Sequence, residues 1–339
     1  MSARFLTVVL ERAFNMRDGF GREIDYMRIS VIDSCNLNCY YCNPCDNNEH
    51  CHALNILSVK EVLCIVRAAT RLGIKHFRLT GGEPLLHPQL DEMVLQIKKI
   101  PGVSSVSLTT NAVLLAQHAK WLKEAGIDSI NVSLDTIDAS EYERITKKPL
   151  LEEVKHGINA AIECGIRVKI NVVLTPQTDV VALTRYVAKK GTDIRFIEMM
   201  PVGEGHTNGV EPYKKVIGTL SKLYGEPCRI NTEKTKEINS GNDKRKIPDN
   251  GPAEYYIFPE LGIRVGLIQA IHGKFCDTCN RIRVTADGRL MPCLGSSVTM
   301  DLVPDSWDFA DDVEKDFAIV RALRAAIKAK PRCHNFNDN

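Results

Sequence analysis

The sequence has almost no net charge and no long apolar run. Its 44 Lys and Arg are balanced by 42 Asp and Glu, for a formal charge of +2. Nothing global therefore argues for a nucleic-acid or anionic-membrane partner. No stretch of about 18 apolar residues occurs, which excludes an ordinary transmembrane helix. Internal repeats and low-complexity tracts are also missing, so a solenoid or a disordered array is excluded. The apolar patch Phe5 to Leu10, set among Arg4, Arg12 and Arg17, is too short for a signal peptide. Residues 1–17 are compatible with part of a transit sequence, but read rather as an extra N-terminal helix or extension. What is present is a globular composition, 44% hydrophobic and 25% charged over 339 residues. That is enough for a sizeable core in one large or two modest domains. Twelve cysteines in so long a chain are not needed as disulfide staples, and a reducing cytoplasm is implied.

Half of those cysteines fall into two triads. Cys35, Cys39 and Cys42 have Cys-x3-Cys-x2-Cys spacing just after the short alternating segment Arg28 to Asp33. Three thiolates on a tight loop can hold three irons of a four-iron, four-sulfur cube and leave the fourth iron open. A structural zinc site wants a closed tetrahedral set, and the spacing alone leaves that alternative standing. Cys276, Cys279 and Cys293 form a second set, Cys-x2-Cys-x13-Cys. Between its members, Asp287-Gly288 separates two β-prone runs and predicts a two-residue type I′ hairpin. Pairing Ala286 with Arg289 would then set Ile282 opposite Cys293 and bring Cys293 back beside Cys279. A zinc ribbon completed by His272 remains the alternative. Cys64 and Cys164 lie in apolar helical patterns and read as small buried hydrophobes. Cys45 and Cys51 read as non-ligands in a polar loop, and Cys228 and Cys333 are scattered.

From Arg28 to about Met200, six β-like runs alternate with helical stretches. The runs begin at Arg28, His76, Ser105, Ile130, Arg167 and Ile194. Ser58 and Glu61 form a capping box before one of the helices. This is an α/β pattern for a parallel sheet with crossover helices. The first triad, Thr80 to Pro84, Thr109 to Asn111, Ser133 to Asp135 and Met199-Met200 all fall at strand C-terminal ends, where a barrel gathers its ligands. After Pro201 the pattern changes. Gly203 to Gly209 reads as a loop, Glu211 to Tyr224 as a helix and Lys234 to Gly251 as an exposed loop. Two hairpins follow, Glu254 to Val265 and Arg281 to Met291, and a helix from Asp311 to Ala329 closes the chain.

The triad Cys35-x3-Cys39-x-Tyr41-Cys42 resembles the signature of the radical S-adenosylmethionine enzymes. More narrowly, Phe275 to Leu294 (FCDTCNRIRVTADGRLMPCL), RLTGGEPLL from Arg78, NVSLD from Asn131 and RFIEMMPVG from Arg195 resemble the GTP 3′,8-cyclase family of molybdenum cofactor biosynthesis. The resemblance runs from about Asp18 to Phe336. It implies a partial (β/α)6 TIM-like barrel over 18–203 and a C-terminal domain, 204–339, with a twitch-type Fe–S hairpin. It implies two [4Fe-4S] clusters, on Cys35, Cys39 and Cys42 and on Cys276, Cys279 and Cys293. S-adenosyl-L-methionine would contact Tyr41, Gly82, Ser133 and Met200. GTP would lie among Arg28, Arg78, Thr109, Lys169, Arg195, Arg281 and Arg283, with guanine at the open iron of the second cluster. Cleavage of S-adenosylmethionine would give a 5′-deoxyadenosyl radical that takes hydrogen from C3′ of GTP. The C3′ radical then attacks C8, and reduction gives 3′,8-cyclo-7,8-dihydro-GTP. No individual residue is implied as the catalytic acid or base.

The implied partners are a low-potential electron donor and a downstream protein that forms cyclic pyranopterin. Neither nucleic acid nor membrane is implied, and a homodimer is compatible with the reading. The sequence departs from the family pattern at Ile32 and Ser34 before the first triad, at Asn43 after it, at Ala112 in place of a turn glycine, and at His76 in place of a lysine. The family's tail ends in Gly-Gly, whereas this sequence ends at Asn337-Asp338-Asn339. A truncated sequence and a paralogue both account for the difference; if the family mechanism needs that tail in the pocket, the expectation is binding of both cofactor and GTP with little cyclised product. Two other readings stand beside this one: a radical S-adenosylmethionine peptide maturase with an auxiliary cluster, and a non-enzymatic iron–sulfur or zinc sensor.

Overall fold

A computed structural model describes residues 16–42, 55–202, 205, 209–230, 251–296, 298–302 and 312–336. Most of the N-terminal extension, Cys45 and Cys51, Asn43, the loop from Lys234 to Asn250 and the terminal Asn337-Asp338-Asn339 lie outside the described residues. Six strands carry the first part: β1 (Tyr26–Ser30), β2 (His76–Thr80), β3 (Ser105–Thr110), β4 (Ser129–Ser133), β5 (Val168–Val173) and β6 (Asp193–Ile197). Each pairs in parallel with the next. The crossovers are α1 (Val59–Arg71), α2 (Leu90–Lys98), α3 (Leu115–Glu124), α4 (Ala139–Thr146) with α5 (Leu151–Glu163), and α6 (Val180–Lys189). This is the parallel sheet with crossover helices that the alternating pattern predicted, and the partial (β/α)6 barrel that the resemblance implied.

Local signals act where the sequence placed them. At the start of α1, Ser58 Oγ accepts from Glu61 N at 3.3 Å, while Glu61 Oε2 accepts from Ser58 N at 2.7 Å. Both orphan donors of the first turn are thereby satisfied. The buried face of α1 is Val62, Ile65, Val66 and Ala69, the i, i+3, i+4, i+7 stripe of an amphipathic helix. Among the described residues no helix is long and apolar enough to cross a membrane.

The later strands join the same sheet. β7 (Cys228–Ile230), β8 (Glu254–Ile257), β9 (Arg264–Ile268), β10 (Arg281–Val284), β11 (Arg289–Met291) and β12 (Met300–Asp301) extend it at both edges. The order is β12-β11-β10-β1-β2-β3-β4-β5-β6-β9-β8-β7. β9 runs parallel to β6 and β10 parallel to β1, so eight neighbouring strands run parallel. The division at 203/204 therefore falls within one continuous sheet. The predicted helix Glu211 to Tyr224 is a π turn over Tyr213–Ile217 followed by α7 (Gly218–Tyr224). The closing helix α8 (Asp312–Lys328) packs on α1, with Arg71 Nη2 2.8 Å from Asp316 Oδ2.

One expectation is corrected. The hairpin between β10 and β11 does not turn in two residues. Arg283 pairs with Met291 and Val284 with Leu290, and Thr285 N donates to Arg289 O at 2.9 Å. The loop is thus the three residues Ala286, Asp287 and Gly288. A type I′ turn needs positive φ at both central residues, but here Gly288 has φ 77° and Asp287 is not among the positive-φ residues. The one-residue shift reverses which face Cys293 shares. Carried two residues further, the register sets Cys293 opposite Arg281 and away from the fully buried Ile282.

The strand alternation decides what the barrel holds. Met27, Ile29, Phe77, Leu79, Val106, Leu108, Ile130, Val132, Ile194 and Phe196 are all fully buried, under the helices. The alternate positions (Arg28, Arg78, Ser107, Thr109, Asn131, Lys169, Asn171 and Arg195) face the interior and line one cavity. A closed parallel barrel ordinarily fills its interior with branched apolar side chains. This one is polar inside.

Candidate active site

The first triad lies on the loop leaving β1. Gly82 N donates to Ile32 O at 2.8 Å and Glu83 N to Ser34 O at 2.8 Å, so the loop runs as a rail beside the end of β2. A Cβ on Gly82 would stand 2.2 Å from Ser34 O and 2.4 Å from Asp33 O. The glycine is needed there for the approach of the cysteine loop itself. Leu37 N and Asn111 Nδ2 reach Cys35 Sγ at 3.5 and 3.8 Å. Burial raises all three thiols above their ordinary pKa, Cys39 to about 12, where Asp135 and then the other two cysteines add to the effect. Three neighbouring thiols whose ionised forms repel one another fit a site that is charged only when a cationic metal cluster supplies the balance.

Beyond the triad, Tyr41 Oη donates to Asp135 Oδ2, and Val173 N donates to Asp135 Oδ1 at 2.7 Å. Burial raises Asp135 to about 6, against the two hydrogen bonds that oppose it. Gly205 touches both Tyr41 and Met200: its Cβ would lie 2.7 Å from Met200 O and 3.5 Å from Tyr41 O. Ser133 is exposed at the end of β4. Tyr41, Asp135 and Met200 thus gather at the C-terminal end of the barrel. The structure places Gly82 against the cysteine loop and Ser133 two residues before Asp135.

Sequence reasoning missed Glu83. This carboxylate is 1% exposed and accepts from Thr110 Oγ1 and Asn111 N, each at 2.7 Å, and from Leu85 N at 3.0 Å. It ties the end of β3 to the cysteine loop. Its position inside Gly81-Gly82-Glu83-Pro84 was the available signal.

The main cavity, about 630 Å³, brings together Arg28, Arg78, Thr109, Lys169, Arg195 and Met200 with Cys276, Cys279, Cys293, Arg281 and Arg283. Its lining carries eight Arg or Lys and a single acid, Asp128. Arg78 Nε donates to Tyr26 Oη, and Arg78 Nη1 donates to Leu108 O at 3.1 Å. Burial, and then the neighbouring Arg283, bring Arg28 well below the ordinary guanidinium pKa. Burial and Arg281 lower Arg283 to about 10. Arg28 Nε, Arg281 Nε and the Asn131 carboxamide oxygen have no partner among the described residues. Confined cations without counter-ions cost several kcal/mol each, so the cavity is built to receive a polyanion. Asn131, 5% exposed, adds an acceptor for a hydroxyl or amino donor. Sequence reading passed over it because an Asn on a strand has no distinctive spacing.

The second triad opens onto the same cavity. Cys279 N donates to Cys276 O at 3.2 Å within a short 3-10 turn. Burial raises the Cys276 thiol. Burial would raise Cys279 too, but Lys330 and Arg281 outweigh it and bring that thiol below its ordinary value. Lys330, 3% exposed, donates from Nζ to Arg281 O and Pro292 O, both at 2.8 Å. A lysine this far from the motif would be read as solvated from sequence alone. His272 does not line the cavity with the second triad, and its Nδ1 is hydrogen-bonded to Glu198. Among the described residues no three His, Cys, Asp or Glu side chains converge on a single ion.

A six-unit parallel barrel with a three-cysteine loop after its first strand defines a radical S-adenosylmethionine protein. Residues 29–182 match the Radical SAM superfamily, and residues 192–336 match Molybdenum Cofactor Synthesis C. The chain is 35% identical over 324 residues to a GTP 3′,8-cyclase of Clostridium perfringens, covering 95% of each chain. It is 37% identical over 328 residues to the GTP 3′,8-cyclase of Peptoclostridium acidaminophilum, covering 95% of this chain and 94% of that one. The chain belongs to the GTP 3′,8-cyclase family. Among solved structures, Streptococcus suis SuiB aligns with a TM-score of 0.59 at 15% identity, over 95% of this chain and 70% of that one. That likeness is one of fold.

Proposed function

We propose that the protein converts GTP to 3′,8-cyclo-7,8-dihydro-GTP for molybdenum cofactor biosynthesis. One observation carries the reading: the cationic barrel interior opens directly onto the second thiol triad. Charge complementarity seats the triphosphate among Arg28, Arg78, Lys169 and Arg195. The purine is then directed to Cys276, Cys279 and Cys293, which would hold the second cluster and give it a site for the base. Cys35, Cys39 and Cys42 would hold the other cluster, which when bound would supply the electron for reductive cleavage of S-adenosylmethionine. Tyr41, Gly82, Ser133 and Met200 hold S-adenosylmethionine, and Asp135 fixes Tyr41. The protein's own part is to place C3′ of the ribose against the radical and to exclude water. A low-potential donor supplies electrons, and a protein that forms cyclic pyranopterin takes the product.

The reading is tested by anaerobic incubation with S-adenosylmethionine, dithionite and GTP, with products read by mass spectrometry. The cyclised nucleotide is expected, with a peptide ending in Gly-Gly added in a parallel reaction; 5′-deoxyadenosine without any change in GTP in either reaction would overturn it. Arg281→Ala with Arg283→Ala should weaken GTP by about tenfold or more per site, since charge-assisted bonds contribute about 1.5–3 kcal/mol each. Calorimetry on iron-replete protein checks this. Unchanged affinity in the double variant would favour a peptide substrate over a nucleotide.

A further inference from the structure

Most cations lining the cavity are arginines, whose ordinary pKa lies far above the physiological range. His76 is different. It lies at the start of β2 on the inward face, two residues before Arg78, and it lines the cavity. Its Nδ1 is 2.8 Å from Ser105 Oγ on β3, and Tyr26 of β1 stacks on the ring at 6.5 Å between centroids. The register sets Tyr26, His76 and Ser105 at one level of the barrel, with Arg28 and Arg78 at the next. With Nδ1 taken by Ser105, the Nε2 edge is the one left for a ligand, and it has no partner among the described residues.

We propose that His76 is a proton-linked phosphate ligand: capture of the nucleotide's polyphosphate takes up a proton at this imidazole. The proposal deepens the nucleotide reading above and rests on it. A polyphosphate held by Arg28 and Arg78 extends along the same inward face, where the next inward side chain on β2 is about 7 Å away. In the empty cavity, burial lowers the imidazole's pKa, so it is neutral near pH 7. A phosphate dianion brought against Nε2 favours the charged form and raises it again. Binding is therefore strongest below the free-state pKa and weakens as pH rises through the bound-state pKa.

Of the other charges around His76, Asp25 and Asp128 raise its pKa, but burial, the largest effect, together with Lys75 outweighs them. Asp25 accepts from Asn280 Nδ2 at 2.7 Å, and Asp128 is held by Lys98 at 2.9 Å and by Val106 N at 2.7 Å. Both carboxylates thus have partners of their own. Lys75, Arg28, Arg78 and Arg281 are cations and oppose protonation, as the empty site requires.

The test is calorimetric titration of GTP into the anaerobically reconstituted protein, from about pH 6 to about pH 8, in two buffers of different ionisation enthalpy. Wild type, His76→Lys and His76→Asn are compared. Wild type is expected to take up part of a proton on binding. Its affinity should fall about tenfold, relative to His76→Lys, across that range. His76→Lys should bind without the extra uptake, and His76→Asn should bind about tenfold more weakly than wild type at the acid end, also without uptake. Titration of the nucleotide's own phosphate and of Arg28 or Arg283 is common to all three proteins and cancels in the comparison. Equal proton uptake in the three proteins, with GTP still bound, would overturn the role of His76 alone. No GTP binding by wild type at any pH would overturn the nucleotide reading and this proposal with it.

Discussion

Replacing Cys35, Cys39 and Cys42 together by alanine is expected to remove about four of about eight irons per chain and all formation of 5′-deoxyadenosine. The variant should still fold. The loop is held by backbone bonds from Gly82 to Ile32 and from Glu83 to Ser34, and the Gly81-Gly82 approach needs no thiol. The neutral alanines also remove three groups whose ionisation burial opposes. The second site should keep its iron, because Cys276, Cys279 and Cys293 belong to other elements, and GTP should still bind. Iron and sulfide analysis after anaerobic reconstitution, with chromatography of the deoxyadenosine, checks both points. Full iron in the triple variant would assign the first cluster to other thiols, of which Cys45 and Cys51 are the nearest in sequence.

Much of this arrangement was legible in the residues because it is periodic or closely spaced. His76–Thr80 and Ser105–Thr110 occupy the runs the sequence marked, since alternation of polar and β-branched residues is a local property. The two triads were legible for the same reason. The hairpin register was not. Asp-Gly signals a turn, but its length depends on which residues accept positive φ, and here only Gly288 of the three does. Ala112 makes the converse point. It sits where a glycine is expected and adopts φ 65°, a left-handed conformation that costs about 1–2 kcal/mol for a residue with a Cβ. Glu83, Lys330 and Arg22 escaped notice because each is a buried charge whose partners are largely backbone groups. No side-chain pattern advertises such partners.

Arg22 carries the largest structural effect among these. It is 9% exposed and is a hub for three segments distant in sequence. Its Nε pairs with Asp18, whose side chain is fully buried. Nη1 donates to Cys276 O at 2.6 Å and to Arg332 O at 2.9 Å, and Nη2 donates to Pro331 O at 2.6 Å. Arg22→Ala therefore leaves the Asp18 carboxylate with only its bonds from Phe20 N and Arg22 N and Cys276 O with only that from Cys279 N. It also takes the guanidinium from Pro331 O and Arg332 O, at about 1–3 kcal/mol for each group left unsatisfied. One of those carbonyls belongs to Cys276 of the second triad. The expected result is loss of about four irons and of high-affinity GTP binding, with deoxyadenosine formation at the first site retained. That retained cleavage separates a local loss from an unfolded barrel. Arg22→Lys keeps a charge for Asp18 but cannot fork to three carbonyls, so its iron content should lie between the two. Arg22→Ala with all of its iron and unchanged GTP affinity would mean that the second triad is positioned by the β10–β11 hairpin and Lys330 without this clamp.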